Sequence, residues 1–316
     1  MRLCRYEKNG TIQVGFYDEA RISPLQAIAS QSGVTVPQTD SLLAFLPGGE
    51  FQAQAKNLAT ELDSLSEDDI AAFSIPTCET ALKVPVPNPE KILLLAGNYA
   101  EHIEEGGGRS EERARTFPYV FMKPPSTTLT NPGDPVIIPT ISPDCIDWEL
   151  ELGVVIGKRC KVVSQADSLD YVAGYTVVND ISNRKYRPNP QRAERPKDKF
   201  FDWLHGKWHD TFCPMGPCVL PADEVDDPQS LKLTLKLNDE IEQDSSTSQM
   251  VFPVAAIVSF ISQLVTLEPG DVISTGTPSG VGFPKGKFLK PGDMIEAEIG
   301  SIGILRNPVE AESAGS

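Results

Sequence analysis

The sequence predicts an α+β protein dominated by β-structure, and three observations carry that expectation. Pro-Gly-Asp recurs at 132–134, 269–271 and 291–293, each time ahead of an apolar, β-branched run such as Gly292-Asp293-Met294-Ile295. Pro then Gly suits the central positions of a type II turn, because glycine accepts positive φ there. Lys8-Asn9-Gly10 lies between two short alternating runs, the signature of a β-hairpin. Strong helical patterns are few: an amphipathic one over 53–65 and an apolar one over 254–267, expected to pack against the sheet. No internal repeat is present, since the three turns lead into unlike segments.

The 316 residues suit about two domains, and 40% hydrophobic with 23% charged is ordinary for a globular chain. Val84-Pro85-Val86-Pro87-Asn88-Pro89 forms an extended connector. The boundary therefore falls there: 1–85 a small α/β amino-terminal domain, 86–310 the catalytic domain, 311–316 a disordered tail. Lys and Arg total 28 against 44 Asp and Glu, a formal charge of -16. That balance repels phosphate backbones and argues against nucleic acid as a partner. Six scattered cysteines with no CxxC pair read as reduced thiols. The apolar segment 254–267 is interrupted by Ser259, Ser262 and Gln263 and falls short of the roughly 20 residues that span a bilayer. With no apolar leader at the amino terminus, a cytoplasmic protein without membrane partners is expected.

The most informative stretch is Asp147-Trp148-Glu149-Leu150-Glu151-Leu152-Gly153-Val154-Val155-Ile156-Gly157. Side chains alternate along a strand, so Glu149 and Glu151 share one face. About thirty residues later Gly174-Tyr175-Thr176-Val177-Val178-Asn179-Asp180 reads as a second strand with an acid at its end. Three carboxylates on rigid strands suit a hard divalent cation. Spacing alone leaves the commoner alternative open, the solvated face of an amphipathic strand. Against it, both faces are apolar beyond Gly153, where unpaired carboxylates are costly.

With these acids in place, the chain resembles the fumarylacetoacetate hydrolase family. The matching pieces are Gly97-Asn98-Tyr99-Ala100-Glu101-His102, Phe121-Met122-Lys123-Pro124-Pro125-Ser126, Glu149-Leu150-Glu151 and Asn179-Asp180-Ile181-Ser182. Lys207 with Asp210-Thr211-Phe212 and Gly216-Pro217, then Thr275-Gly276-Thr277-Pro278-Ser279-Gly280-Val281-Gly282 and Leu305-Arg306-Asn307-Pro308 complete them, in family order over 92–309. The resemblance implies a homodimer built on a rolled, mixed β-sheet. It implies Glu149, Glu151 and Asp180 as ligands of one Mg²⁺ or Mn²⁺, and Lys207 as a catalytic contact beside the metal. Family members cleave C–C bonds in acylpyruvates or fumarylacetoacetate, decarboxylate oxaloacetate, or isomerise unsaturated keto diacids.

Other residues extend the site. His102 and Glu105 lie three apart in a stretch, 98–105, that reads as helical with Asn98 as its N-cap. In the family's acylpyruvate hydrolases such a pair sits on a lid, Glu steering the imidazole and His taking a proton from water. Gly106-Gly107-Gly108 follows, and reads either as a hinge that lets the segment open and close or as an ordinary loop. The loop 276–282 offers backbone N–H groups and a hydroxyl to a carboxylate. The resemblance implies Lys123, Arg184, Gly276 and Thr277 as substrate contacts. His205 and His209 have metal spacing only if helical, and Gly206 and Trp208 between them argue against a zinc site.

Some positions depart from the family. After Asp180, many members carry an acid and then a glutamine two residues later; here those positions are Lys185 and Arg187. Seven basic and two acidic residues lie between Arg184 and Lys199, a local +5 in a chain of -16. The expectation is either a solvated loop or one that draws in a substrate with more than one negative charge. Trp208 is bulkier than the usual neighbour of the lysine, and Asp239 replaces a frequent glycine at a hairpin tip. The expected function is metal-dependent hydrolysis of a C–C bond in an acylpyruvate-type keto acid, through an enolate. The alternatives are an isomerase, tautomerase or decarboxylase of a keto diacid or oxaloacetate, and, least, a non-catalytic binding protein.

Overall fold

The structure, a computed structural model, describes residues 1–105, 107–110 and 115–313. Its architecture is mixed α+β and dominated by strands, as the turn pattern implies. All three Pro-Gly-Asp glycines take positive φ, +87° at Gly133, +91° at Gly270 and +96° at Gly292. Asn9 and Gly10 do the same at +53° and +73°, closing the hairpin of strands Leu3–Lys8 and Thr11–Tyr17.

The large sheet holds 12 strands among the described residues. At its centre lie Leu150–Ile156, Val172–Asn179 and Cys213–Pro221, antiparallel to one another in that order and buried at every residue. That burial explains why their sequences do not alternate: both faces are covered. Leu150, Leu152 and Val154 point into one core, and Val155 points into another. The first core is closed by a five-stranded sheet through Leu233, Leu235, Ile295 and Ala297. Those strands alternate buried with less buried residues, as one-sided packing requires. The second core is closed by amino-terminal residues including Leu3, Phe45 and Leu58, the last on helix Gln52–Ser64. The amino-terminal hairpin also enters the large sheet directly, Leu3 facing Val219.

Two boundaries differ from expectation. The apolar helix is Val254–Leu264, three residues shorter, because Val265 turns extended and Leu267 pairs with Cys160. The strand Gly303–Ala311 runs into the segment expected to be a disordered tail, Ala311 opposite Ile138. Glu312 is fixed too: its carboxylate accepts from the Thr140 N–H and hydroxyl, each at 2.7 Å. Residues 314–316 of that tail, and Gly106 of the expected hinge, lie outside the described residues.

Gly157 marks where the amino-terminal segment presses on the sheet. A Cβ there would sit 2.3 Å from the Pro47 carbonyl oxygen and 3.0 Å from Ala173 Cβ. Gly157→Ala should cost about 1–3 kcal/mol through overpacking, read as a lower urea midpoint. An unchanged midpoint would mean that this contact is soft.

Candidate active site

The register of the two central strands builds the site. Leu150 faces Asn179, so Glu149 and Asp180 lie side by side at the strand ends, joined by the Asp180 N–H to the Glu149 carbonyl at 2.9 Å. Glu151 follows one residue inside the strand. All three acids are buried, and one oxygen from each lies within 4.8 Å of the others. The solvated-face alternative is therefore excluded. Glu151 Oε2 accepts from the Ser274 hydroxyl at 2.6 Å and the Gly276 N–H at 2.8 Å, while Glu151 Oε1 is buried without a hydrogen-bond partner among the described residues. Burial pushes the Glu151 carboxyl up, and the neighbouring Asp180 and Glu149 push it further. An orphaned carboxylate oxygen among three converging hard donors fits a divalent cation of the Mg²⁺ or Mn²⁺ kind.

Three cations surround the acids. Lys207, just past helix Asp198–His205, donates to Glu149 Oε2 at 2.9 Å and Asp180 Oδ2 at 2.5 Å. Burial lowers its pKa, but Asp180 and Glu149 more than offset that and the ammonium stays charged. Arg184 reaches Glu149 Oε1 at 2.6 Å through Nη1 and Asp147 Oδ2 at 2.8 Å through Nε. Burial opposes ionisation of Glu149, yet Arg184 and Lys207 hold it well below the usual carboxylate range. Lys123 approaches Asp180 Oδ1 at 2.5 Å. Four carboxylates, counting Asp147, thus face three cations before any ligand arrives. A divalent cation together with a doubly negative enolate would leave that balance unchanged.

The expected His102–Glu105 pair does share a helix. His102 and Glu105 share helix Ala100–Glu105, with His102 Nδ1 3.5 Å from Glu105 Oε2. The helix is tied to the loop beyond the sheet by the Ser279 hydroxyl to Glu101 at 3.0 Å and the Gly280 N–H to Glu105 at 3.3 Å. Burial lowers the His102 pKa, and both Glu149 and Arg184 are close enough to shift it as well. The imidazole is therefore neutral over the acids at neutral pH.

Several expected roles change. Asn98 is not an N-cap: its amide donates to the Phe252 and Thr275 carbonyls and accepts the Phe252 N–H at 2.8 Å, bracing the segment before helix Ala100–Glu105. Gly276 does not offer its N–H to substrate. At φ +91° it turns that N–H inward to Glu151, and a Cβ would strike Asn98 Cβ at 2.8 Å. Lys123, expected at the substrate, is wholly buried and donates to the Ile181 carbonyl at 2.9 Å and to the Phe212 carbonyl, so it fixes Asp180 instead. Thr277 is buried, its Oγ1 accepting from Gln243 at 2.9 Å.

Two residues escaped the sequence reading. Asp147 is buried and accepts from the Gly282 and Phe283 N–H groups and from Arg184, so it ties the loop to the guanidinium. Its signal was available in the alternating acids Asp147, Glu149 and Glu151. Gln243 donates to Thr277 and the Pro278 carbonyl and accepts the Leu150 N–H at 3.0 Å. Nothing in its local sequence distinguishes it from a surface glutamine.

The strand-dominated fold thus gathers three buried acids that could hold a metal ion, and comparison with known proteins says which family builds such a site. The family described as fumarylacetoacetate (FAA) hydrolase, C-terminal, matches residues 91–310. The chain belongs to the fumarylacetoacetate hydrolase family. A mitochondrial oxaloacetate tautomerase of Bos taurus is 39% identical over 279 residues, 87% of this chain and 81% of that one. A 2,4-didehydro-3-deoxy-L-rhamnonate hydrolase of Sphingomonas sp. (strain SKA58) is 36% identical over 313 residues, 98% of this chain and 96% of that one. Among solved structures, a fumarylacetoacetate hydrolase from Exiguobacterium antarcticum superposes with TM-score 0.75 at 28% identity, covering 99% and 100% of the two chains. A maleylpyruvate hydrolase from Sphingobium sp. SYK-6, solved with manganese(II) and pyruvate, superposes with TM-score 0.73 at 28% identity and the same coverage. No helix among the described residues is long and apolar enough to cross a membrane.

Proposed function

We propose that this protein hydrolyses a C–C bond in an acylpyruvate-type keto acid, releasing pyruvate. The observation that carries the reading is the His102–Glu105 pair held beside three buried acids. Glu149, Glu151 and Asp180 would hold Mg²⁺ or Mn²⁺, a Lewis acid that stabilises the negative charge of an enolate. Glu105 Oε2 lies 3.5 Å from Nδ1 of His102, and closing that gap to a hydrogen bond would hold the proton at Nδ1 and leave Nε2 as the base. Nε2 takes a proton from water as the oxygen adds to the distal carbonyl. The C–C bond then breaks, its electron pair passes to the departing carbon, and reprotonation there gives pyruvate beside a carboxylic acid. Lys207 and Arg184 add positive charge where that electron pair accumulates.

A second reading is favoured by the bovine relative's activity: the same enolate forms and is reprotonated with no water added, as in a keto–enol tautomerase. The test is pyruvate release from a panel of acylpyruvates, with the decay of enol-oxaloacetate absorbance followed in parallel. Pyruvate together with the matching free acid supports hydrolysis. Accelerated enol decay with no cleavage of any acylpyruvate would replace it with the tautomerase reading.

A further inference from the structure

Next to Arg184, which contacts Glu149, lies a depression of about 690 Å³, bounded by Arg184, Lys185, Arg187, Lys199 and Trp203 among others. That volume falls within the range of roughly 300–1,000 Å³ typical of small-molecule sites. Two of its lining residues also reach the groups around the acids. Arg184 contacts Glu149, and the Trp203 ring lies 5.9 Å from Lys207 Nζ. The guanidinium also has a free hand: Arg184 Nη2 is buried with no hydrogen-bond partner among the described residues.

The cations around this depression differ in what they already hold. Arg192 is committed to Asp198 at 3.1 Å and Asp202 at 2.5 Å, and Arg195 to Asp198 at 3.1 Å. These pairs fold the loop onto helix Asp198–His205 and leave Arg192 with its charge already matched. Arg187 has only an exposed contact with Glu194 at 3.3 Å, a pair easily exchanged for a better anion. Lys185 and Lys199 make no ion pair among the described residues. Counting the wall, six cations face the three acids Glu194, Asp198 and Asp202, an excess of three positive charges in a chain of -16.

We propose that this depression is a subsite for a distal carboxylate of the substrate, held by Lys185 and Arg187, which makes the enzyme selective for dianionic 2-oxo acids. The inference rests on the reading that the 2-oxo end is held at Glu149, Glu151 and Asp180. From there the chain of the substrate passes Arg184 and ends among cations with capacity to spare. Guanidinium and ammonium groups at a shared concavity bind carboxylate through charge-assisted hydrogen bonds and discriminate strongly against a neutral end.

Calorimetric titration in Mg²⁺ tests this with two ligands of matched shape, 2-oxoglutarate and 5-methyl-2-oxohexanoate, whose isopropyl end replaces the distal carboxylate. The native protein should bind 2-oxoglutarate about tenfold tighter or more, roughly 1.4 kcal/mol. The double variant Lys185→Glu with Arg187→Glu should erase that preference while leaving the affinity for the neutral ligand within about twofold. Equal affinities in the native protein, no binding of either ligand, or a preference that survives the double variant would each overturn the proposal. Failure of the pyruvate-release panel with the preference intact would remove the hydrolytic reading and leave the subsite standing. Success of the panel without the preference would do the reverse.

Discussion

Stripping divalent metal with EDTA should reduce turnover about a thousandfold or more, and Glu151→Gln should do the same in excess Mg²⁺. An electrostatic contribution of several kcal/mol to enolate formation corresponds to that factor, at about 1.4 kcal/mol per decade. Glu151 is the informative ligand because Oε1 has no protein partner, whereas both Glu149 oxygens and Asp180 Oδ2 are already held by cations. A melting curve separates the metal from a merely structural role. Added Mg²⁺ or Mn²⁺ should raise the Tm of the native chain, since a ligand that binds only the folded state stabilises it. The Glu151→Gln chain should melt no lower than the metal-free native protein, because the change removes one of three crowded, buried carboxylates. Undiminished turnover in EDTA, or a Tm blind to both ions, would sink the assignment of this triad.

Replacing His102 should separate the two chemistries that the site supports. His102→Ala is expected to slow hydrolysis by about 10²–10⁴-fold, the usual worth of a positioned general base. Enolisation at the same acids needs no attacking water, so deuterium exchange at C3 of oxaloacetate should change by only a few fold. The native pH profile carries a second signature. Burial lowers the His102 pKa from its ordinary 6.5. The neutral, active form therefore persists to lower pH than for a free imidazole, and hydrolysis should fall only as pH drops through a midpoint below 6.5. Glu105, 3.5 Å from Nδ1, orients the ring without receiving the water's proton, so Glu105→Gln should cost less than His102→Ala. If His102→Ala leaves hydrolysis within a few fold of native, the base lies elsewhere.

Much of this was legible in the chain itself. Asn9-Gly10 and the three Pro-Gly-Asp turns fixed strand ends because their backbone demands are local, a positive φ that few residues accept. The period-two placement of Glu149 and Glu151 fixed that they share a face, and the ordered family pieces marked nearly the span that the family comparison matches. What those residues do once assembled was another matter. Lys123 and Gly276 carry the right chemistry for a substrate anion, yet the fold turns both inward, onto Asp180 and Glu151.

The sequence by itself determined the turns, the β-rich class and the shared faces of Glu149 with Glu151 and of His102 with Glu105, since each is set by near neighbours along the chain. Only the tertiary structure decided which cations remain available. Arg187 and Arg192 are five residues apart and equivalent as text. Folding brings Asp198 and Asp202 against Arg192 and leaves Arg187 with a single exposed partner. The same long-range packing joins Gln243 to Leu150 across 93 residues and Asp147 to Gly282 across 135. The free energy of a charge depends on the partners and the burial it meets in three dimensions, and sequence spacing specifies neither.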